Sequence, residues 1–295
     1  MEAPHQFSVA ERRGQKGMKQ IVALALQEDL GSKGDITSSA IFGPEDLGAA
    51  RVICREACVV SGMPAAAEVC LQVDPGLKFL QLVQDGQQVP AGAEVARLDG
   101  RLVSILAAER TLLNFISKLS GVATLTAGYV DAVRDSGARI AATRKTSPGL
   151  RRLEKQAVVD GGGELHRIGL YDAVLIKDNH LAAAGGVGGA VDAVRQALGP
   201  DIEVEVEVET AAEMEEAIEA GADRVLLDNM APEEVGGCVR LAAGRLVIEA
   251  SGGINLENVQ AYAAAGANVL SVGALTRSAP GIDFSLEIVT GISEQ

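Results

Sequence analysis

The feature that most constrains the fold of this chain is a repeating pattern from residue 137 onward. Apolar segments alternate with polar or glycine-rich tips and alanine-rich helical stretches. Such stretches supply the long crossovers that parallel strands require, and closure into a barrel is the arrangement we expect for this many units. The predicted strands are 139–143, 173–176, 202–208, 224–227, 246–249 and 269–272.

Each predicted strand ends in residues that can carry chemistry. In (β/α) barrels the carboxyl ends of the strands and the loops after them form the active-site face. We therefore expect these tips to converge on one pocket. The tips are Arg144-Lys145, Lys177-Asp178-Asn179, Glu207 with Glu209, Asp228-Asn229, Ser251-Gly252-Gly253 and Gly273.

The first half of the chain has a different character. Residues 19–30 predict a short amphipathic helix, whereas 49–103 contain short apolar runs separated by turn residues, which is typical of a small antiparallel sheet. Helical periodicity follows over 104–133, so helices are expected to cover this sheet. With 295 residues the chain is longer than the roughly 250 that one barrel fills. One barrel with a smaller companion domain is therefore predicted.

Charge and composition exclude several classes of function. The formal net charge of −14 argues against nonspecific binding to nucleic acid or to anionic lipid. Neither a signal peptide nor a membrane span is recognisable, so we expect a cytoplasmic protein that does not associate with membranes. The four cysteines lack the paired spacing of a zinc or redox site, and are expected to be reduced and mostly buried.

Residues 139–177 form a basic segment in this acidic chain, with eight Lys and Arg against four Asp and Glu. A pocket containing several of these cations would suit a ligand with many negative charges. The strand-end residues Arg144, Lys145 and Lys177 are the candidates for that role. Arg151, Arg152 and Lys155 are instead expected to form a solvated helix face.

Glutamate and valine alternate over 203–209. A period of two places the valines on one side of a strand and the glutamates on the other. If helices cover the valines, the glutamates face the interior, where an unpaired carboxylate is costly. The middle glutamates are thus predicted to need Lys145 or Lys177, while the end ones reach water. An exposed edge strand is the alternative.

Three further features are open to two interpretations each. The glycines of Ser251-Gly252-Gly253 and Gly273 could let backbone N–H groups approach a phosphate, or simply mark tight turns. His166 and His180 could contact a ligand or be structural. Arg110, in an otherwise apolar helix, is by itself most simply a surface or interface arginine.

Seven strings occur in order: 28–37, 109–114, 143–151, 166–170, 175–180, 226–229 and 251–254. They include Thr143-Arg144-Lys145-Thr146-Ser147-Pro148 and Leu175-Ile176-Lys177-Asp178-Asn179-His180. Together they resemble the quinolinate phosphoribosyltransferases, or carboxylating nicotinate-nucleotide pyrophosphorylases, over residues 18–289. The chain departs from the family pattern at Ala142, Leu165 and Arg277. The first two adjoin the expected pocket and leave the fit of the substrate open, whereas Arg277 keeps a cation near the expected phosphate site.

The resemblance implies an α/β protein with an N-terminal α/β sandwich domain and an incomplete, TIM-like (β/α) barrel. The expected segments are a flexible N-terminus (1–17), the sandwich (18–136), the barrel (137–280) and a C-terminal tail that adds to the sandwich (281–295). The resemblance further implies a homodimer or higher homo-oligomer in which Arg110 enters the neighbouring active site. It therefore overrides the surface interpretation of Arg110.

The same resemblance implies a pentosyltransferase that joins quinolinate to phosphoribosyl pyrophosphate, releases pyrophosphate and carbon dioxide, and forms nicotinate mononucleotide for NAD biosynthesis. Arg144, His166, Arg167 and Lys177 would bind quinolinate, and Lys145 would contact either substrate. Lys145, Lys177, Glu207 and Asp228 are the implied catalytic residues. Glu207 and Asp228 would lie near the ribose and bind Mg²⁺, and Ser251, Gly252, Gly253 and Gly273 would hold the 5-phosphate.

Three rival functions stay open. The first is a related transferase of the same fold that acts on another aromatic acid. The second is a barrel lyase that uses Lys177 as a Schiff-base nucleophile. The third is a scaffold or binding protein without activity, although the charged groups at so many predicted strand ends argue against it.

Overall fold

The computed structural model describes residues 9–289, with side chains from residue 16 onward. It divides into two compact units. Of the described residues, the first contains 9–124, 147–161 and 279–289, and the second contains 125–146 and 162–278. These units differ from the predicted segments at residues 125–136 and 147–161, and by two residues at 279–280. Residues 125–136 were predicted to belong to the first domain but lie in the second unit. Helix α4 (Leu102–Val133) continues without interruption across this boundary.

Helix α5 (Arg151–Asp160) belongs to the first unit, although it lies within the predicted barrel segment. The physical reason is its packing, since Leu150 and Leu153 lie against the hydrophobic core of that unit. Ser61 also donates a hydrogen bond of 2.6 Å to Asp160. The prediction that Lys155 lies on a solvated face of α5 is wrong, because this residue is only 1% exposed.

The first unit is built on a four-stranded antiparallel sheet. Its strands are β1 (Leu47–Cys54), β3 (Lys78–Gln81), β5 (Glu94–Arg101) and β12 (Phe284–Val289), in the order β12-β1-β5-β3. Strand β12 pairs with β1 from Ala49↔Val289 to Cys54↔Phe284, so the C-terminal segment adds an edge strand to this sheet. A second, two-stranded sheet joins β2 (Cys58–Val59) to β4 (Gln88–Val89).

The first unit also contains the helices α1 (Val9–Leu30), α2 (Ile36–Ile41), α3 (Met63–Val73) and the first part of α4. Helix α3 was not predicted, because its alanine-rich sequence lies among the turn residues of the 49–103 segment. Gly62 and Pro64 mark its start, and six of its residues are buried. The expected flexible segment 1–17 is helical from Val9; residues 1–8 and 290–295 lie outside the described part of the chain.

The second unit is built on six parallel strands. They are β6 (Arg139–Ala142), β7 (Val174–Ile176), β8 (Val204–Val208), β9 (Arg224–Asp228), β10 (Val247–Ser251) and β11 (Val269–Val272). All six predicted strands are therefore confirmed to within a few residues. Helices α6 (Asp178–Ala184), α7 (Val187–Leu198), α8 (Ala211–Glu219), α9 (Pro232–Ala242), α10 (Val259–Ala264) and α11 (Ala274–Arg277) alternate with the strands.

The order of this sheet, β6-β11-β10-β9-β8-β7, leaves β6 and β7 at its two edges. No ladder joins these two strands within the described residues, so the barrel is incomplete, as predicted. The inward positions of the strands carry the polar residues, while Val204, Val206 and Val208 are fully buried.

All four cysteines are buried thiols, in agreement with the sequence analysis. Within residues 9–289, none of the helices combines the length and the apolar character that a membrane span needs.

Candidate active site

A cavity of about 140 Å³ in the second unit brings together residues from most of the predicted strand ends. Cationic side chains dominate its lining, although the chain as a whole is strongly acidic. Such a concentration of positive charge favours an anionic ligand. The lining residues are Thr143, Arg144, Lys145, His166, Arg167, Lys177, Glu207, Leu226, Glu249, Ser251 and Ser271.

Lys177 and Glu207 form an ion pair at the wall of this cavity. Lys177 directly follows β7, and Glu207 lies on the neighbouring strand β8, where Ile176 pairs with Val206. The two side chains are 39% and 13% exposed, so the carboxylate is largely removed from water. The prediction that a lysine neutralises a middle glutamate of 203–209 is thus confirmed for Glu207.

Glu205 has different partners from those predicted. Its Oε2 lies 3.0 Å from Nε2 of His166, and its Oε1 lies 3.5 Å from Nε of Arg224. Neither Lys145 nor Lys177 neutralises Glu205, because the residues that face it across the interior are His166 and the first residue of β9. Glu203 and Glu209, at the two ends of the run, are exposed as expected.

His166 is held between two buried carboxylates. Its Nε2 lies 3.0 Å from Glu205 and 3.4 Å from Glu249, and its side chain is 13% exposed. Burial by itself lowers the pKa of His166, but the hydrogen bonds and charges of the two glutamates more than offset burial and raise this pKa to about 9. The imidazole is therefore positively charged at neutral pH and counts among the cations of the cavity.

Glu249 and Ser271 were not predicted as site residues. The apolar pattern predicts that the fifth strand of this unit ends at Glu249, whereas β10 continues to Ser251. Glu249 therefore lies two residues before Ser251 on the same inward face. Ser271 donates a hydrogen bond of 2.6 Å to Oε1 of Glu249. Burial raises the pKa of Glu249, and the hydrogen bond and charge of His166 outweigh it, so the net shift is downward.

Arg144 and Arg167 bring two guanidinium groups to the cavity. Nε of Arg144 is buried and has no hydrogen-bond partner among the described residues. Burial and then the charge of Arg144 lower the pKa of Arg167, which indicates that the two cations repel one another. Both features are expected of a site prepared for an anion, because a bound carboxylate would accept the hydrogen bond and relieve the repulsion.

Lys145 has its backbone fixed on both sides. Its N–H donates to Oγ1 of Thr143 at 3.0 Å, and its carbonyl oxygen accepts a hydrogen bond of 2.8 Å from Thr276. The side chain passes over Gly273, where an added Cβ would lie 3.3 Å from Cδ of Lys145. Gly273 therefore leaves room for this lysine.

Asp228 lies at the end of β9, where it is half-buried and accepts a hydrogen bond of 2.7 Å from the side chain of Asn229. The backbone N–H of Asn229 donates to the carbonyl oxygen of Ser251 at 2.9 Å. Gly252 has a φ of 95°, and a Cβ there would lie 2.8 Å from the backbone nitrogen of Asn229. This close approach of two strand ends therefore requires a glycine.

Of the predicted phosphate cradle, Ser251 lines the cavity itself, whereas Gly252, Gly253 and Gly273 lie at the strand ends beside it. Asp228 is also absent from the lining residues.

Arg110 lies on α4 in the first unit and is exposed, and its predicted role in a neighbouring subunit stays a prediction. Nδ1 of His180 accepts a hydrogen bond of 2.9 Å from the backbone of Lys177, which favours the structural interpretation of this histidine.

Two groups of side chains have the chemistry to hold a metal ion. One ligand atom from each of His166, Glu205 and Glu249 lies within 4.8 Å of the others. However, Arg224 contacts Glu249 at 3.0 Å, so this carboxylate pair is already neutralised by Arg224 and the protonated imidazole. Glu207 is also paired, with Lys177, but it borders an acidic cavity of about 510 Å³ whose further carboxylates could share a metal ion. The other acidic residues of that second cavity are Asp178, Glu209 and Glu213.

This chain is similar in sequence and in fold to proteins of one family. Sequence models of the quinolinate phosphoribosyl transferase family match 35–120, for the N-terminal domain, and 122–287, for the C-terminal domain. The protein named "Probable nicotinate-nucleotide pyrophosphorylase (carboxylating)" of Bacillus subtilis is 39% identical over 271 residues, covering 92% of this chain and 93% of the relative.

A protein of the same name from Methanothermobacter thermautotrophicus is 41% identical, over 92% of this chain and 99% of the relative. Among solved structures, the nicotinate-nucleotide pyrophosphorylase of Francisella tularensis superposes with a TM-score of 0.90 at 38% identity. That match covers 98% of this chain and all of the other. Sequence similarity to these three proteins therefore extends over more than nine-tenths of this chain, and the fold of the Francisella protein is shared over nearly its whole length.

Proposed function

Because this chain belongs to the quinolinate phosphoribosyltransferase family, we propose that it transfers the phosphoribosyl group of phosphoribosyl pyrophosphate to quinolinate and decarboxylates the product. The products are nicotinate mononucleotide, pyrophosphate and carbon dioxide. The observation that carries the proposal is the cavity in which Arg144, Lys145, His166, Arg167 and Lys177 meet. Quinolinate carries two carboxylates and its co-substrate carries a phosphate and a pyrophosphate, so cations must hold like-charged reactants together.

Arg144, His166, Arg167 and Lys177 are the proposed ligands of the quinolinate carboxylates. The buried Nε of Arg144 has no hydrogen-bond partner in the part of the chain that the structure describes, which supports this role because an arginine there can complete a bidentate contact with a carboxylate. The charged state of His166 supports it as well, since a neutral imidazole would contribute no attraction. Lys145, whose side chain passes over Gly273, is proposed to contact either substrate.

The chemistry assigned to the chain is mostly electrostatic. The pyridine nitrogen attacks the anomeric carbon as pyrophosphate leaves, and positive charge develops on the ribose. Glu207 and Asp228, on the adjacent strands β8 and β9, would stabilise that charge. Loss of the 2-carboxylate then leaves a carbanion next to the quaternised ring nitrogen, which stabilises it without an organic cofactor. Backbone N–H groups at Ser251, Gly252, Gly253 and Gly273 would hold the 5-phosphate.

Mg²⁺ is the proposed metal ion. It prefers hard oxygen ligands from one or two carboxylates, and Glu207 and Asp228 fit this requirement because both present carboxylates on neighbouring strands. Glu207 gains further acidic neighbours from the second cavity that it borders. When bound, the ion would neutralise charge on the pyrophosphate leaving group.

The rival Schiff-base lyase is less well supported. A nucleophilic lysine must lose its proton and point at a carbonyl carbon. The amino group of Lys177 instead donates a hydrogen bond to the carboxylate of Glu207, so it is held there and does not face an open carbonyl site. Borohydride trapping with a carbonyl substrate distinguishes the two functions, because only a Schiff base becomes covalently reduced.

The reaction itself is tested by incubating the protein with quinolinate, phosphoribosyl pyrophosphate and Mg²⁺ and following nicotinate mononucleotide. We expect product only when all three components are present. Formation of product from another aromatic acid but not from quinolinate would contradict the proposed substrate. Product without added metal, in the presence of a chelator, would contradict only the role of Mg²⁺.

We also propose a homodimer or larger homo-oligomer in which Arg110 completes the active site of a neighbouring subunit. The exposure of Arg110 on α4 is compatible with such a contact. Subunit complementation tests it: Arg110→Ala and Lys177→Ala should each be inactive, whereas mixing them should restore about a quarter of the activity through hybrid dimers with one intact site. No restoration after verified subunit exchange would contradict the shared site.

A further inference from the structure

The imidazole of His166 contacts a buried cluster of charged side chains formed by Glu205, Glu249 and Arg224. A single ring nitrogen, Nε2, lies 3.0 Å from Glu205 and 3.4 Å from Glu249. The glutamate side chains are only 6% and 1% exposed. Because one N–H faces two carboxylates, the orientation of the ring and the position of its proton are fixed by the same contacts.

Among Glu205, Glu249, Arg224 and His166, positive and negative charges are equal when His166 carries a proton. Two further charges act on the cluster: Arg167 attracts Glu205, and the exposed Glu203 lies 3.5 Å from Arg224. The two carboxylates of the cluster face Arg224, whose Nη2 lies 3.0 Å from Oε2 of Glu249, and the imidazole. Removing the proton from the imidazole would leave a net negative charge among groups that are largely shielded from water, which is costly. The strands β8, β9 and β10 each supply one charged residue to this balance.

Glu249 is the most rigidly held member of the cluster. It lies in the middle of β10, which pairs with β9 on one side and with β11 on the other. Ser271 on β11 donates a hydrogen bond of 2.6 Å to its Oε1, and Arg224 on β9 contacts its Oε2. Both oxygens are therefore oriented before any ligand arrives, and Oε2 is turned toward the imidazole.

We propose that Glu249, anchored by Ser271 and Arg224, is a positioning residue that keeps His166 charged and correctly oriented for a carboxylate of the substrate. The inference rests on the proposed function, because it assumes that His166 binds quinolinate. Glu249 itself would act through the histidine, and not by contact with the reacting atoms. A purely structural carboxylate would stabilise the unit without setting the charge of His166.

Glu249→Gln is the informative variant, since it keeps the shape of the side chain and one of its two accepting oxygens but removes its charge. Glu203→Gln is the matched control. Glu203 also lies beside Arg224, at 3.5 Å, but it is 65% exposed, and the carboxylates that contact His166 are those of Glu205 and Glu249. Ser271→Ala is a second test variant that loosens Glu249 and retains its charge.

The charge of His166 can be measured directly, because the chain has only three histidines. Histidine-labelled protein is titrated from pH 6 to 10 by NMR, and the resonance of His166 is assigned with His166→Gln. We expect a midpoint near the pKa of about 9 in the unmodified protein and in Glu203→Gln. In Glu249→Gln the midpoint should fall by about one pH unit or more, and in Ser271→Ala by less. An unchanged midpoint in Glu249→Gln would overturn the proposal.

Kinetics separate positioning from mere stability. At pH 8, Glu249→Gln should raise the KM for quinolinate about twofold if the midpoint falls by one pH unit and about tenfold if it falls by two. At pH 6, where the imidazole is protonated in either protein, the increase should be much smaller. The KM for phosphoribosyl pyrophosphate should change little. A uniform loss of activity at both pH values would indicate a structural role and overturn the inference. If the unmodified protein forms no nicotinate mononucleotide, the proposed function fails, while the NMR titration still reports on the cluster.

Discussion

Replacing Gly252 by alanine tests the close approach of β9 and β10 at the mouth of the cavity. Gly252 has a φ of 95°, a conformation that costs a residue with a Cβ about 1–3 kcal/mol. The new Cβ would also lie 2.8 Å from the backbone nitrogen of Asn229 and 2.7 Å from its Cγ. Backbone atoms held by the hydrogen bond from Asn229 to Ser251 cannot move freely, so crowding adds about another 1–3 kcal/mol. The expected total is about 2–6 kcal/mol.

Gly253 provides a matched control at the next position. Its φ is 65°, but nothing lies within 4 Å of an added Cβ, so Gly253→Ala should cost only about 1–2 kcal/mol for the left-handed conformation. Urea unfolding followed by circular dichroism measures the difference between the two variants. Because Gly252→Ala displaces Asn229, and with it the hydrogen bond to Asp228, it should also reduce kcat more than Gly253→Ala does. Equal loss of stability in both variants would refute the argument from crowding.

Three further predictions address the charged groups and the thiols. Lys177→Ala removes the cation that neutralises Glu207 and should lower kcat/KM for quinolinate by about 100-fold or more, with circular dichroism unchanged; near-normal kinetics would contradict its role. Because its folded pKa of about 9 exceeds the unfolded value, His166 should contribute about 1–3 kcal/mol of stability that is complete below about pH 6.5 and lost as the pH rises through 9. This dependence should disappear in His166→Gln, as judged by unfolding midpoints between pH 6 and 10. Finally, burial raises the pKa of Cys70 to about 12, and all four thiols are buried, so Ellman's reagent should react slowly until the protein is denatured.

The positions of the strands and of most cavity residues were predictable because they depend on local patterns. Alternation of apolar and polar residues decides which side chains face inward, and parallel strands necessarily bring their carboxyl ends to one edge of the sheet. Arg144, Lys177 and Glu207 could therefore be assigned to one cavity from the sequence alone. Helix α3 was missed because its local signal is weak among surrounding turns, and it forms by burying six residues in the core.

The pairing of charges depended on tertiary structure. The sequence indicated that the glutamates of 203–209 need cations, but not that His166, from a distant loop, and Arg224, from the next strand, neutralise Glu205. The sequence did not predict Glu249 as a site residue, because a single glutamate in an apolar strand produces no periodic pattern. A carboxylate's partner is decided by distances of about 3–4 Å between elements far apart in the chain, and the state of a titratable group is decided by the burial that those elements create together. Residue types and their spacing thus determined the kind of ligand that this chain attracts, and only the folded barrel decided which side chains are charged and held in place to bind it.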